Sequence, residues 1–208
     1  MVMDSKWRSN PELKFPEWTI ELHELTREIY GNLWMTDEGF WTLDFLKQRF
    51  PNGGDGMIEV GSAYGASFHC WSTIFRAPRI SVDIPDGAWG ASSEMVKERL
   101  EKWHKYIDTD CYQVIGDSAH AQTVNKVKEL LNGKLVDWLF IDANHDYEPA
   151  MSDYLNYKPF VKSGGYIGFH DIYHPAHING CGKVWKEIQG EKWECNWHWT
   201  GVGIVKVE

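Results

Sequence analysis

A chain of 208 residues is long enough for one well-buried α/β domain and short for two, and 43% hydrophobic with 25% charged residues is the balance of an ordinary globular protein. A formal net charge of −9 leaves no basic field for phosphate backbones, so nucleic acid is not an expected partner, whereas small neutral or cationic ligands remain open. No run approaches the roughly 18 apolar residues of a membrane span, and "MVMDSKWRSNPELKFPEW" has no apolar signal-peptide core. The expectation is therefore a cytoplasmic protein without membrane contact, whose scattered cysteines Cys70, Cys111, Cys181 and Cys195 are buried free thiols.

In chain order, "TIELHELTREIYGNLW" and "DEGFWTLDFLKQRF" read as amphipathic helices stopped by Pro51 and the turn "NGGDG". Trp7, Trp18, Trp34 and Trp41 crowd this segment, either packing a helical layer onto the core or, for one or two of them, stacking on a ligand. Residues 1–55 are thus expected as an N-terminal extension and residues 56–208 as the main domain, together one compact unit. "MIEV" then predicts a strand, "GSAYGAS" its turn, and "FHCWSTIF" a helix closed near Pro78.

The alternation continues with strand "RISVDI", helix "SSEMVKERLEKWHKYI", strand "CYQVIG", helix "HAQTVNKVKELLN", strand "VDWLFID", helix "EPAMSDYLNYKPFV" and strand "GYIGFHD". Strand–helix units in series predict right-handed crossovers and an α/β, doubly wound, mostly parallel sheet with helices on both faces. "KVWKEIQ" reads as a last helix. "KWECNWHWTG" and "VGIVKV" read as two strands joined by a tight turn, adding an antiparallel C-terminal edge.

Ligands of such sheets sit beyond the carboxyl ends of the strands, which directs attention to the strand-end residues. Gly61 and Gly65 in "EVGSAYGAS" permit close backbone approach by a ligand, or simply a tight strand-to-helix turn. This is not the G-x-G-x-x-G dinucleotide fingerprint. Asp83 ends the second strand about twenty residues later, where an acid can accept from both ribose hydroxyls. Asp117 and Ser118 follow the third strand, beside an adenine edge or as caps of the next helix.

The ordered set "EVGSAYG", Asp83, "GDS", "FIDANHDYE" and "VKSGGYIGFHD" resembles the class I S-adenosylmethionine-dependent methyltransferases from about residue 56 onward. In detail it is similar to the small O-methyltransferases that include the catechol and caffeoyl-CoA enzymes. Its pattern also resembles their bacterial relatives acting on sugars and other natural-product hydroxyls, with strings like "IDGDHSYE" and "GG-x-I-x-x-HD". The resemblance implies a seven-stranded Rossmann-like sheet, S-adenosyl-L-methionine as cofactor, and a small hydroxylated substrate such as a sugar or vicinal diol. It implies that Glu59, Ser62 and Tyr64 line the cofactor turn with Gly61 and Gly65, and that Asp142 adjoins it.

In the catechol-type enzymes the acid ending the fourth strand binds Mg²⁺, and the residue three positions on is a lysine base. Here those positions hold Asp142 and His145. A hydroxyl on Mg²⁺ loses its proton more easily, and an imidazole with a pKa near roughly 6.5 can accept it. The fifth strand supplies Asp171 as a second carboxylate, or His170 as well, which shifts the preference from Mg²⁺ toward Mn²⁺, Fe²⁺ or Zn²⁺. That departs from the acid-then-amide pair of the catechol pattern. His145 has a competing use, capping the next helix or pairing with Asp146, while Asp146, with Tyr147 and Glu148, reads as starting and orienting that helix, with setting the His145 tautomer as its alternative use.

His174 and His177 read as pocket-mouth residues rather than ligands, and Trp89 and Tyr173 as pocket walls. Two further readings stay open: a metal-independent enzyme with a His145–Asp146 base, and a non-catalytic nucleotide-type binding domain. Exposed aromatics on the N-terminal helices would suit a homodimer.

Overall fold

Alternating residues on the strands send apolar side chains to both faces of one sheet, and helices cover each face. The computed structural model describes residues 14–31, 37–86, 91–197 and 199–208. Helices α1 (Glu17–Tyr30) and α2 (Asp37–Arg49) precede β1 (Gly54–Val60), α3 (Ala66–Ser72) and β2 (Phe75–Asp83). There follow α4 (Ser93–Tyr106), β3 (Cys111–Ile115), α5 (Ala121–Leu131), β4 (Val136–Ile141) and α6 (Tyr147–Tyr157). β5 (Val161–His170), α7 (Cys181–Glu187), β6 (Lys192–Cys195) and β7 (Val202–Lys206) complete the chain.

Among the described residues seven strands lie in the order β3-β2-β1-β4-β5-β7-β6. The first five are parallel, and β7 joins β5 and β6 antiparallel, giving the expected edge. The order reverses between β1 and β4, so their carboxyl ends flank the crevice of a doubly wound sheet.

Period-two alternation sorts the core. Ile58, Val60, Ile80, Val82, Leu139 and Ile141 pack with Val127, Leu131, Tyr157 and Val184 on the α5–α7 side. Met57, Trp138, Phe140 and Tyr166 pack with Leu46, Phe68, Trp71 and Trp103 on the α2–α4 side. The second layer is aromatic, and Gly168 makes room for it: a Cβ there would lie 2.4 Å from Trp138. Helix α1 docks on α3 through Thr26 against Cys70 and a Tyr30–His69 hydrogen bond of 3.0 Å. Trp18 and Trp41 pack partly buried on the same cluster, while Trp7, Trp34 and Trp89 lie outside the described residues. All four cysteines are free and buried.

Three boundaries differ from the sequence reading. The helix after the glycine turn starts at Ala66 and stops at Ser72, and Phe75 already belongs to β2, because its ring stacks on Trp138 and meets Phe50 edge-on and its backbone pairs with Gly54. Pro159 ends α6 in a short 3-10 turn, and β5 begins at Val161, which pairs with Val136. β6 and β7 are joined by residues 196–201 rather than by a tight turn. Among the described residues the exposed large aromatics are Trp197, Trp199, Tyr106 and Tyr112, none of them on α1 or α2. Among the described residues no helix is long and apolar enough to cross a membrane.

Candidate active site

The parallel pairing of Val60 with Ile141 sets Gly61 directly against the residue after β4. Gly61 has φ 90°, and a Cβ there would fall 2.0 Å from the Asp142 carbonyl oxygen, so only glycine lets the two strand ends approach. Gly65, at φ 88°, receives the Trp103 indole N–H on its carbonyl at 3.0 Å, and a Cβ there would strike Arg99. Its role is thus to seat α4. Tyr64 is half-buried in the same turn.

Glu59 is fully buried at the end of β1, accepts from the Trp71 indole at 3.0 Å, and is pushed up to about 7 by burial. Its second oxygen and the buried Ser62 hydroxyl make no hydrogen bond of good geometry, although the Ser62 and Ser67 hydroxyls lie near enough to the carboxyl to oppose the effect of burial. Such orphaned polar atoms beside a crevice fit a ligand that brings its own donors.

Asp83 is held by Arg99, whose guanidinium donates to one carboxylate oxygen at 2.6 Å and also to the Ala63 carbonyl. The Ile84 N–H donates to the other oxygen at 2.9 Å. A carboxylate has about four acceptor positions, so capacity remains for a ligand hydroxyl. Arg99 was missed in the sequence, although Val96, Arg99 and Trp103 share the buried face of α4, an unusual place for arginine.

Asp117 accepts from the Ala119 N–H at 2.9 Å, and the Ser118 carbonyl accepts from Tyr157 at 3.1 Å. Neither caps α5, which begins at Ala121 behind His120. A second missed residue, Asp153 of α6, is 1% exposed and is pushed up to about 7 by burial and the nearby Asp117 charge, against the opposing effect of the Ser118 hydroxyl.

Because β4 and β5 are parallel neighbours, Asp142 meets His170 and Asp171. Asp142 Oδ1 lies 3.2 Å from His170 Nδ1 and 3.4 Å from His145 Nε2, and Asp171 Oδ2 lies 3.1 Å from His145 Nε2 and 3.5 Å from His170 Nδ1. Asp171 adopts φ 59°, a left-handed conformation unusual for a residue with a Cβ. Burial opposes charge at Asp142, yet the His170 and His145 charges hold its carboxyl far below the usual range. Burial likewise opposes protonation of both histidines, but Asp142 and Asp171 raise His145 above 6.5 and His170 well above it.

Two carboxylates here call for positive charge, supplied either by imidazolium protons or by a cation. Asp142, His170 and Asp171 each offer a ligand atom within 4.8 Å of the others, and Asp171 Oδ1 is buried without a partner, so the donor set fits a divalent ion. Asp146 stands at the N-terminus of α6, its helix-starting role, and not against His145. Asn144 accepts the Asp146 N–H at 2.9 Å and turns that residue outward to the start of α6, so the acids facing His145 are Asp142 and Asp171. His145 itself does not cap α6.

His177, read as a pocket-mouth residue, lies with His145 and Asp171 in a second group of side chains whose ligand atoms fall within 4.8 Å, because the loop after β5 folds back over residues 145–146. His174 stays outside, between His177 and Trp199 at ring distances of 4.4 and 4.3 Å. Tyr173 is half-buried and hydrogen-bonded through its backbone N–H to Thr200.

The sequence profile of a family described as a methyltransferase domain matches residues 58–172. An uncharacterised protein of Acanthamoeba polyphaga mimivirus is 36% identical over 161 residues, covering 74% of this chain and 70% of that one. Among solved structures, the O-methyltransferase from Bacillus cereus in complex with SAH superposes with a TM-score of 0.62 at 12% identity, covering 98% of this chain and 96% of that one. The TDP-rhamnose 3′-O-methyltransferase of calicheamicin biosynthesis superposes with a TM-score of 0.59 at 11% identity, covering 93% and 96%.

Proposed function

Because this chain belongs to the methyltransferase-domain family and has the class I methyltransferase fold, we propose that it transfers a methyl group from S-adenosylmethionine to a hydroxyl of a small molecule, a sugar or vicinal diol, at a divalent-cation site. The observation that carries this reading is the meeting of Asp142, His145 and Asp171 at the carboxyl ends of β4 and β5, one residue across from the Gly61 turn.

Methyl transfer from a sulfonium needs an oxygen nucleophile aligned behind the methyl group, so alignment and deprotonation are the tasks left to the protein. Gly61, Ser62, Tyr64 and Gly65 would cradle the cofactor, Glu59 would take a donor from it, Asp83 would hold its ribose, and Asp117 with Ser118 would border its adenine. Asp142 and Asp171, with His170 as a third donor, would hold Mg²⁺ or a softer ion. When bound, that ion supplies Lewis-acid polarisation of the acceptor oxygen. His145 Nε2 would accept the hydroxyl proton, steadied by the two carboxylates on either side of it. The acceptor class is supported by the sugar enzyme that shares this fold.

One observation favours a variant of this reading. Both carboxylates already face imidazoles, an arrangement in which His145 can act without metal, and activity that survives EDTA would select it. The test of the common core is calorimetry of metal-stripped protein with S-adenosylhomocysteine, repeated with Mg²⁺ and in Asp83→Asn. Asparagine is preferred to alanine because it keeps a partner for the buried Arg99. Micromolar binding weakened in the variant is the expected result; no binding under any condition would leave a non-enzymatic domain.

A further inference from the structure

The loop of residues 172–180 carries two histidines, and one of them turns back toward the end of β5. His177 lies against His145 with ring centroids 4.4 Å apart. One ligand atom from each of His145, Asp171 and His177 falls within 4.8 Å of the other two. The loop is pinned in this pose: the Cys181 N–H donates to the His145 carbonyl at 2.9 Å, and Gly180 approaches so closely that a Cβ would lie 1.9 Å from that same oxygen. Asp171 is 6% exposed, with Oδ2 facing His145 and Oδ1 left without a hydrogen-bond partner.

Two imidazoles and one carboxylate make a nitrogen-rich donor set. Mg²⁺ prefers oxygen ligands, whereas Zn²⁺, Co²⁺ and Ni²⁺ accept imidazole readily. This set shares only Asp171 with the Asp142–His170–Asp171 group, so the two can be separated by substitution. We propose that His145, Asp171 and His177 bind an imidazole-preferring divalent ion such as Zn²⁺ or Co²⁺, and that this ion withdraws the His145 lone pair from proton transfer. An imidazole nitrogen that coordinates an ion has no electron pair left to take the acceptor's proton. The site is therefore inhibitory if His145 is the base, a consequence that rests on the function proposed above; the binding itself does not.

Metal-stripped protein is titrated with Co²⁺ while its visible d–d absorption is followed, for wild type, His177→Ala, His177→Gln and Asp142→Asn. A saturable band is expected in wild type, with affinity falling at least about tenfold in both His177 variants. The band should persist in Asp142→Asn. Absence of a band, a band indifferent to both His177 changes, or one abolished by Asp142→Asn overturns the assignment. In a second readout Zn²⁺ should slow acylation of His145 and His177 by diethyl pyrocarbonate, followed by mass spectrometry, while His120, whose side chain is 74% exposed, reacts unchanged. An unprotected His145 refutes the withdrawal of its lone pair. Neither readout uses methyl transfer, and S-adenosylhomocysteine binding tests that reading separately.

Discussion

Single buried groups in this protein carry much of its pH response. Asp153 has a folded pKa of about 7, against roughly 3.9 for an unfolded aspartate. Below the unfolded value both states are protonated and nothing is gained or lost. As pH rises from about 4 to about 7 the unfolded chain sheds its proton while the folded one must keep it or bury a charge, so stability falls through that window and then levels off. Urea denaturation between pH 4 and 8 should show this decline, at most a few kcal/mol, in wild type and a shallower one in Asp153→Asn, where the buried Glu59 still contributes; identical pH profiles would mean that Asp153 is not buried as a neutral acid. His145 is tested by its chemistry. Replacing it with alanine is expected to lower single-turnover methyl transfer by roughly 10²–10⁴-fold with S-adenosylhomocysteine affinity unchanged, and a wild-type rate would remove it from the role of base.

At the scale of elements, the site depends on how closely β1 and β4 end. Gly61→Ala combines a positive φ with a Cβ placed 2.0 Å from the Asp142 carbonyl, so the strand ends must move apart. The expected result is destabilisation of about 1–3 kcal/mol in denaturant titration, together with at least about tenfold weaker S-adenosylhomocysteine binding; unaltered binding would show that the ligand does not use this turn. Short apolar runs made β1 and β4 legible, helical spacing of Val96, Leu100 and Trp103 made α4 legible, and Ser92 caps α4 by accepting from the Met95 N–H. The start of β2 was not legible. "STIF" is apolar enough to continue a helix, and only the pairing with β1 and the stack of Phe75 on Trp138 make Phe75 part of a strand.

Across the whole molecule, two hydrophobic layers share one sheet, so a ligand seated at the β1/β4 crevice would stabilise both. S-adenosylhomocysteine at about 100 times its Kd should add about 2.7 kcal/mol. For a domain of this size that raises Tm by about 5–10 °C, measured by scanning calorimetry, and no shift would argue against a site between the layers.

By itself the sequence determined the alternation of strands and helices, the doubly wound class, and the strand-end positions of Glu59, Gly61, Asp83, Asp142 and Asp171, because burial patterns and turn residues act over a few neighbours. Only the tertiary structure decided who meets whom. Arg99 reaches Asp83 across 16 positions, and His177 reaches His145 across 32, because α4 docks on the Gly65 turn and the loop after β5 folds over the end of β4. Such pairings follow from chain topology and close packing, which no local spacing encodes.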